Sequence, residues 1–242
     1  MNYKLLLQFD GTRYLGWQKQ KTGTQTIQGK IEAVLEKLFD EEVQVIGCSR
    51  TDSGVHAINY VASFKAKDMD VKKVHSYLEQ YLPDDIIVKE VTEVSYRFHA
   101  RYNAKSKTYI YKIDNSKYGN VFEKRYAWNI KENLNIEKMK SASELFIGTH
   151  DFKAFTNKAK NKNITRTINS IDIEQDNNMI TIKINGNSFL LNMIRIIVGT
   201  LVECGMHQRT NQSILDALES GDREQAGERA VAKGLYLCNT EY

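Results

Sequence analysis

The sequence predicts a mixed α+β fold arranged as two lobes, and three observations support this. Residues 1–95 follow the order strand, helix, strand, strand, helix, strand, which is the split βαβ order of an antiparallel sheet with two helices on one face. The second half of the chain shows a looser version of the same pattern. Hydrophobic residues make up 41% of the chain, enough for a real core, and a single proline excludes a proline-rich linker.

The elements of the first half follow from hydrophobic periodicity and turn residues. Tyr3–Asp10 is apolar and rich in β-forming residues, and Gly11 ends it. The segment that begins at Thr26 repeats its apolar residues three and four positions apart, which is typical of a helix. Strands are predicted at 3–10, 43–46, 58–64 and 86–94, and helices at 26–39 and 71–82, the second of them ending at Pro83.

The second half is interpreted in the same way. Lys107–Ile113 has large apolar residues at the alternate positions Tyr109, Tyr111 and Ile113, which predicts a strand with one buried face. Phe189–Glu203 is markedly apolar and is expected to form a core helix. The boundary near Ala100–Lys105 divides the chain into an N-terminal lobe, 1–103, and a C-terminal lobe, 104–242. Further strands are predicted at 168–174, 179–184 and 234–238, and further helices at 136–146, 214–218 and 223–231.

Composition excludes several classes of protein. No apolar run approaches the ~18 residues of a membrane span, and the first residues lack the series typical of a signal peptide, so a cytoplasmic location is expected. Cys48, Cys204 and Cys238 are scattered, which disfavours a disulfide framework or a zinc site. The five histidines also lack ligand spacing, so neither a metal nor another cofactor is expected.

Basic residues concentrate in two stretches of a chain whose net charge is only +4. Ser95–Lys131 has nine basic residues against two acidic ones, and Lys153–Arg166 has five basic residues and no acidic one. A solvated face would explain such runs. Because tyrosines and phenylalanines are interleaved in the first stretch, a polyanion with stackable bases is an equal alternative.

The most informative segment is Ile46–Ala57, in which Arg50, Thr51 and Asp52 stand between a strand and a glycine turn. An Asx turn formed by Asp52 is the simplest structural interpretation. Aspartic proteases also use an Asp-Ser-Gly core, but they need two such aspartates, and the chain has no second Asp-Thr-Gly or Asp-Ser-Gly.

The motif Arg50-Thr51-Asp52-x-Gly54-Val55-His56-Ala57 resembles the active-site motif of the TruA-type pseudouridine synthases. Small differences stand at Ser49 and Ser53, where the family usually has Gly and Ala, and at Leu191 and Asn192, where several members carry aromatic or His residues. Other blocks that resemble the family come in family order and cover nearly the whole chain: 9–20 with 26–28, 98–111, 148–155, 165–168, 187–200 and 233–237.

The resemblance implies the pseudouridine synthase fold, with two ferredoxin-like lobes, a largely antiparallel extended sheet and a cleft between the lobes. The N-terminal lobe would carry the catalytic aspartate loop, and the C-terminal lobe would complete the cleft. The implied reaction isomerises uridine to pseudouridine in tRNA, at positions 38 to 40 of the anticodon stem-loop, without a cofactor. A homodimer is implied as well.

The resemblance also implies roles for individual residues. Asp52 would stabilise or trap the oxocarbenium-like sugar, as carboxylates do in glycosidases. Arg195, the one basic residue in a markedly apolar helix, would pair with that carboxylate. Tyr109 would stack on the target base and help to move its C5 proton, and Arg50 would fill the space that the extruded uridine leaves. Val55 and Leu237 would line the floor of the pocket, and the expected contacts to tRNA phosphates are Arg101, Lys105, Lys107, Lys158, Lys160 and Arg166.

Two other functions remain open from the sequence. One is the same chemistry at another tRNA or RNA position. The other is a non-catalytic RNA-binding module on a ferredoxin-like scaffold, since that scaffold hosts many functions. A binding module has no use for the combination of Asp52, Tyr109 and Arg195, so these three residues separate the second alternative from an enzyme.

Overall fold

The structure, a computed structural model, describes residues 1–20, 25–157 and 164–242. The chain divides into two compact units, one formed by Met1–Lys105 with Tyr236–Tyr242 and the other by Ser106–Leu235. Helices and largely antiparallel strands occur in both units, which confirms the α+β class. No helix in the described ranges is long and apolar enough to cross a membrane.

The first unit contains the predicted alternation of strands and helices. Its helix α1 begins after Thr26, whose side chain accepts a hydrogen bond from Gly29 N at 3.2 Å. Its second helix, α2, is capped by Asp70 and stops before Pro83, as the sequence predicts. The elements are β1 Asn2–Phe9, α1 Ile27–Phe39, β2 Val45–Gly47, β3 His56–Lys65, α2 Val71–Tyr81, β4 Ile86–Glu93 and, at the C-terminus, β10 Leu235–Glu241.

Strand β1 lies at the centre of this unit's sheet, between β4 and β3, and is antiparallel to both. The other edge of β3 is shared by two strands. Near its end β3 pairs with β2, and at its start it pairs in parallel with β10, where Leu237 lies opposite Ala57. The order β4, β1, β3, β2 is the split βαβ order. The chain's C-terminal strand is therefore fixed beside the first residues of β3.

The second unit contains a second antiparallel sheet segment in the order β5, β9, β8, β7, with β6 beside β5. Its core helix, α4, is buried along its whole length except at Glu203. The elements are β5 Ser106–Asp114, β6 Trp128–Asn129, α3 Ile136–Glu144, β7 Gly148–Asp151, β8 Thr165–Asp176, β9 Met179–Gly186, α4 Met193–Gly205 and α5 Asn211–Ser220.

The structure corrects two helix predictions in the second unit. Helix α4 begins at Met193 and not at Phe189, because Asn192 adopts a left-handed backbone (φ 62°) that a helix cannot continue through. The helix predicted over 223–231 is wrong beyond a single 3₁₀ turn at Arg223–Gln225. The chain after that turn is a strap on α4: its backbone N–H groups donate to α4, from Gly227 to Thr200 Oγ1 and from Ala230 to the Arg195 carbonyl.

The sequence interpretation also missed the short strands β6 and β7, and it placed 236–242 in the C-terminal lobe. These residues belong to the compact first unit. A two-residue strand such as β6 has too few positions for alternation to be visible. The position of β10 depends on pairing with a strand about 180 positions earlier in the chain, which local patterns do not report.

Gly199 on α4 is a place where the strap requires a glycine. A Cβ at this position would lie 1.7 Å from the Glu228 carbonyl oxygen, a backbone atom. We expect Gly199→Ala to lower the free energy of unfolding by about 2–3 kcal/mol through overpacking, measured by urea denaturation.

Gly205→Ala on the same helix is the matched control. Its Cβ would meet side-chain atoms of Met139, Cγ at 2.9 Å and Sδ at 3.0 Å, and an unbranched side chain adapts more easily than a backbone carbonyl. Its stability should stay within about 1 kcal/mol of the wild type, because the helix propensity of alanine offsets the contact. Equal losses in the two variants would contradict the close approach of the strap.

Candidate active site

Asp52 lies on the turn that connects β2 to β3. Gly54 supplies the positive φ (78°) of this turn, and Val55 N donates to the Asp52 carbonyl at 3.2 Å. The neighbours Thr51 and Val55 are buried, Asp52 is half-buried and Arg50 is exposed. The turn is thus anchored on both sides of a carboxylate that remains within reach of solvent.

A second segment, residues 10–17, packs against the Asp52 turn and is hydrogen-bonded to it. We call this segment the cradle. Trp17 N donates to the Thr51 carbonyl at 3.1 Å, and Ser53 Oγ donates to the Tyr14 carbonyl at 3.0 Å. Gly16 has φ 91°, and a Cβ there would lie 2.5 Å from the Thr51 carbonyl oxygen. The backbone of the cradle therefore touches the backbone of the turn on both sides of Asp52.

His56, the first residue of β3, fixes the other end of the cradle. Its Nδ1 accepts a hydrogen bond from Gly11 N at 3.1 Å and lies 3.0 Å from Asp10 Oδ1. Its ring is buried and stacks on Tyr236 of β10, with centroids 4.7 Å apart. A Cβ on Gly11 would lie 2.0 Å from the Val55 carbonyl oxygen, so only glycine fits here. The imidazole links the start of β3, the cradle and β10.

Asp85, just before β4, fixes the cradle through side-chain hydrogen bonds. Its carboxylate accepts hydrogen bonds from Tyr14 Oη and from the Arg13 guanidinium, the latter at 2.6 and 2.9 Å. Burial, together with the bond to the Asp85 carboxylate, raises the pKa of Tyr14 above its ordinary value. Tyr14 therefore remains a neutral donor at physiological pH.

On its other side the turn is fixed by aromatic packing. Trp17 stacks on Tyr60 with centroids 4.2 Å apart, and Tyr60 Oη is hydrogen-bonded to the Ser49 backbone. Gly47 lets both rings approach, because a Cβ there would lie 2.1 Å from Tyr60 Oη. The chain is thus held rigidly on the way into the Asp52 turn.

Val55 and Leu237 are both buried within the first unit. Leu237 lies on β10 opposite Ala57, two residues after Val55. Both side chains are apolar and close to the Asp52 turn along the paired strands. Their role as a pocket floor stays a prediction.

Arg195 lies in the first turn of α4 in the second unit and is 8% exposed. Its Nε donates to the Ala230 carbonyl of the strap at 2.7 Å, and one terminal nitrogen donates to Asn192 Oδ1 at 3.4 Å. A buried guanidinium needs such partners. The strap and the left-handed residue before α4 therefore fix the orientation of this charge.

Tyr109 lies on β5 in the second unit, opposite Ile184 of β9, and is 5% exposed. Its ring meets the Phe189 ring edge to face, at 5.4 Å and 85°. The neighbouring Tyr111 is more deeply buried and donates to the Val231 carbonyl at 2.7 Å. Burial raises the pKa of Tyr111, and the charge of Arg195 opposes this shift.

The predicted tRNA-contacting residues differ in exposure. Arg101 and Lys105 are exposed, whereas Lys107 and Arg166 are half-buried. Burial lowers the pKa of Arg166, and one of its terminal nitrogens donates to the Thr165 carbonyl at 2.6 Å. Lys158 and Lys160 lie outside the described residues.

Sequence reasoning missed the positioning role of the cradle. Asp10, Gly11, Tyr14 and Gly16 belong to a block that resembles the family, but the sequence offered no reason for them. The sequence did contain a signal. Two glycines and a tryptophan stand within seven residues after a strand, a pattern that favours close approach of another backbone segment. Among the described residues, no group of three or more His, Cys, Asp or Glu side chains is placed to hold a metal ion.

Comparison with known proteins identifies the family of this chain. The profile of a family described as tRNA pseudouridine synthase matches residues 6–103 and 142–242. The chain is 51% identical to tRNA pseudouridine synthase A of Bacillus sp. (strain KSM-64), over 98% of this chain and 97% of the relative. It is 50% identical to tRNA pseudouridine synthase A 1 of Clostridium tetani (strain Massachusetts / E88), over 100% of this chain and 99% of the relative.

The comparisons also give a further sequence relative and a weakly similar solved structure. The chain is 46% identical to tRNA pseudouridine synthase A 2 of Bacillus anthracis, over 100% of this chain and 99% of the relative. Among solved structures, a chain of a Cbf5–Nop10–Gar1 complex is 12% identical with a TM-score of 0.40, covering 97% of this chain and 48% of that one, a likeness too weak to bear on the fold. The family profile and the full-length relatives agree: this chain belongs to the tRNA pseudouridine synthase family.

Proposed function

We propose that this protein isomerises uridine to pseudouridine in tRNA, with Asp52 as the group that attacks or stabilises the sugar. The observation that carries the proposal is the Asp52 turn itself, a solvent-reachable carboxylate fixed between buried neighbours and a rigid cradle. Identity of 46–51% along the whole chain to relatives named tRNA pseudouridine synthase A supports the same reaction.

The reaction needs few groups. The bond between N1 of uracil and C1′ of ribose breaks, the base turns and C1′ bonds to C5. The proton lost from C5 is balanced by a proton gained at N1. Atoms are conserved, so no oxidant or group donor is consumed. Breaking the glycosidic bond leaves positive charge on the sugar, which a nearby carboxylate stabilises or traps. A carboxylate serves this purpose best when its position is fixed before the substrate binds.

We assign supporting roles to three further residues. Arg195 would pair with the Asp52 carboxylate in the enclosed substrate complex, and the bonds of Arg195 to the strap keep the direction of its guanidinium fixed. Tyr109 would stack on the target uracil and assist removal of the C5 proton. Arg50, which is exposed, would occupy the place of the extruded uridine in the stem.

The finer features of the proposal come from the family resemblance. The target would be positions 38 to 40 of the anticodon stem-loop, and the protein would act in the cytoplasm as a homodimer. The first unit would carry the nucleophile Asp52, and the second unit would supply the other catalytic groups, Tyr109 and Arg195. Exposed Arg101 and Lys105 are suited to phosphate contacts, which fix register without reading sequence.

Asp52→Asn is the direct test of the catalytic assignment. Asparagine is nearly isosteric and keeps turn-type hydrogen bonds, so folding and tRNA affinity should be nearly unchanged. Loss of the charge and of the attacking oxygen should slow the reaction by several orders of magnitude, about 5 kcal/mol or more of barrier. The measurement is tritium release from tRNA labelled at uridine C5, beside a melting curve.

Asp84→Asn, which changes an exposed aspartate of the same unit, is the matched control and should release tritium like the wild type. If Asp52→Asn releases tritium within tenfold of the wild type, Asp52 is not the catalytic group. If the wild type binds tRNA but releases no tritium at all, the RNA-binding module becomes the better assignment.

Salt dependence tests the basic stretch 153–166. Each phosphate contact contributes about 0.7–0.9 to the slope of log K against log salt. Replacing Lys158, Lys160 and Lys162 with Gln should therefore reduce this slope by about 2, measured by filter binding of tRNA with the fold checked by melting. A triple change at exposed Lys37, Lys72 and Lys73 is the control, and equal effects in the two triples would argue against a specific contact.

The expected oligomer is a dimer. Sedimentation equilibrium at micromolar concentration should give twice the mass of the chain, and activity should follow the dimer. A fully active monomer at that concentration would remove the homodimer from the proposal.

A further inference from the structure

Three large hydrophobic side chains lie almost fully in solvent on the segment between β5 and β6. Tyr118, Val121 and Phe122 are 87%, 78% and 83% exposed and stand within five residues of one another. We call residues 115–127 the aromatic loop. Scattered exposed hydrophobic residues need no explanation, but a cluster of this kind marks an interaction surface.

The aromatic loop is an ordered element. At its start the buried Asp114 carboxylate accepts hydrogen bonds from the backbone N–H groups of Ser116 and Asn120, at 3.1 and 2.9 Å. Burial alone would raise the pKa of Asp114, but these bonds and one with Asn129 outweigh burial and lower it. Asn120 Oδ1 in turn accepts from Phe122 N at 2.9 Å. The aromatic side chains are thus presented by a fixed backbone, which lowers the entropic cost of binding.

The end of the loop is fixed as well. Tyr126 N and Ala127 N both donate to the Glu123 carbonyl, at 2.8 and 2.9 Å. Lys233 Nζ donates to the Lys124 carbonyl at 2.8 Å, which places one more ammonium group against the loop.

The charges around the exposed rings have one predominant sign. Lys117, Lys124 and Arg125 are exposed, and the single acidic residue of the loop, Glu123, is half-buried. The Lys117 ammonium lies 5.4 Å from the centroid of the Tyr118 ring, so charge and aromatic face are adjacent. A fitting partner carries dense negative charge together with flat apolar faces. Unpaired bases in a nucleic acid strand have both properties.

A second copy of the chain fits less well. A twofold contact would bring the same loop from each copy together. Three cations from each loop would then face three from the other, with one half-buried acid on each side to offset them. The charge pattern therefore favours RNA over self-association.

We infer that the aromatic loop is an RNA-binding surface in which Tyr118 and Phe122 stack on unpaired bases while Lys117, Lys124 and Arg125 contact the neighbouring phosphates. That the RNA is tRNA rests on the proposed function. Stacking on a ring depends little on base identity, so the loop contributes affinity and register and does not choose the uridine. The aromatic loop adds five residues to the tRNA contacts predicted from the sequence, which include none of them.

Two double variants separate the two parts of the inference. Tyr118→Ser with Phe122→Ser should weaken binding of an unmodified tRNA transcript about tenfold or more and leave the salt slope unchanged, because stacking releases no counterions. Lys124→Gln with Arg125→Gln should weaken binding and reduce the slope by about 1.5. Binding is measured by titration at several salt concentrations, with melting curves to confirm folding.

Helix α2 offers matched controls at exposed positions. Tyr81→Ser controls for loss of an exposed ring, and Lys72→Gln with Lys73→Gln controls for loss of two charges. If the loop variants bind tRNA within twofold of these controls, the inference is wrong.

Sedimentation tests the alternative partner, a second copy of the chain. If Tyr118→Ser with Phe122→Ser converts an oligomer to monomers with unchanged tRNA affinity, the loop joins copies of the chain and the RNA inference is overturned. Pseudouridine formation by the wild type, measured in parallel, tests the proposed function separately. Loss of RNA binding in the loop variants supports the loop even if the wild type forms no pseudouridine.

Discussion

The close fit between the cradle and the Asp52 turn is the constraint on which the rest of the first unit depends. Neither Gly11 nor Gly16 has room for a Cβ, because the backbone of the turn lies 2.0–2.5 Å from where that atom would be. Trp17, His56 and Asp85 then fix the cradle to β3, β10 and the start of β4 by stacking and hydrogen bonds. In the proposed reaction the Asp52 carboxylate would have to meet one sugar carbon, and it would gain from this rigidity, since positioning is a large part of catalysis.

In the second unit, the side chain of Arg195 is also fixed by backbone and side-chain contacts. A guanidinium in an apolar helix is costly unless its donors are satisfied. The strap after residue 225 supplies the Ala230 carbonyl, and Gly199 lets the strap approach α4 closely enough to do so. Asn192 ends the preceding turn in a left-handed conformation and also contacts the guanidinium. The strap, which the sequence analysis wrongly predicted as part of a helix, is therefore what holds the buried charge.

Much of the fold was predictable because it depends on local patterns. Helices α1 and α2 and the split βαβ order of the first unit follow from apolar spacing and from Pro83, which ends α2. The Asp52 motif was equally visible. The strap and the position of β10 were not, because they depend on contacts between distant segments: Gly227 with Thr200, Ala230 with Arg195, and Leu237 beside Ala57. The start of α4 was missed because apolar spacing does not report the left-handed backbone of Asn192. The cradle was visible in the sequence as a motif, but only the contacts in the structure show that it positions the Asp52 turn.

The central claim is that the fixed Asp52 carboxylate makes pseudouridine in tRNA. The most direct measurement is mapping of pseudouridine in RNA from cells that lack the gene and then regain it, as the wild type or as Asp52→Asn. The account predicts that pseudouridine at positions 38 to 40 of tRNA disappears with the gene, returns with the wild type and does not return with Asp52→Asn. Pseudouridine that returns with both forms, or with neither, would contradict it.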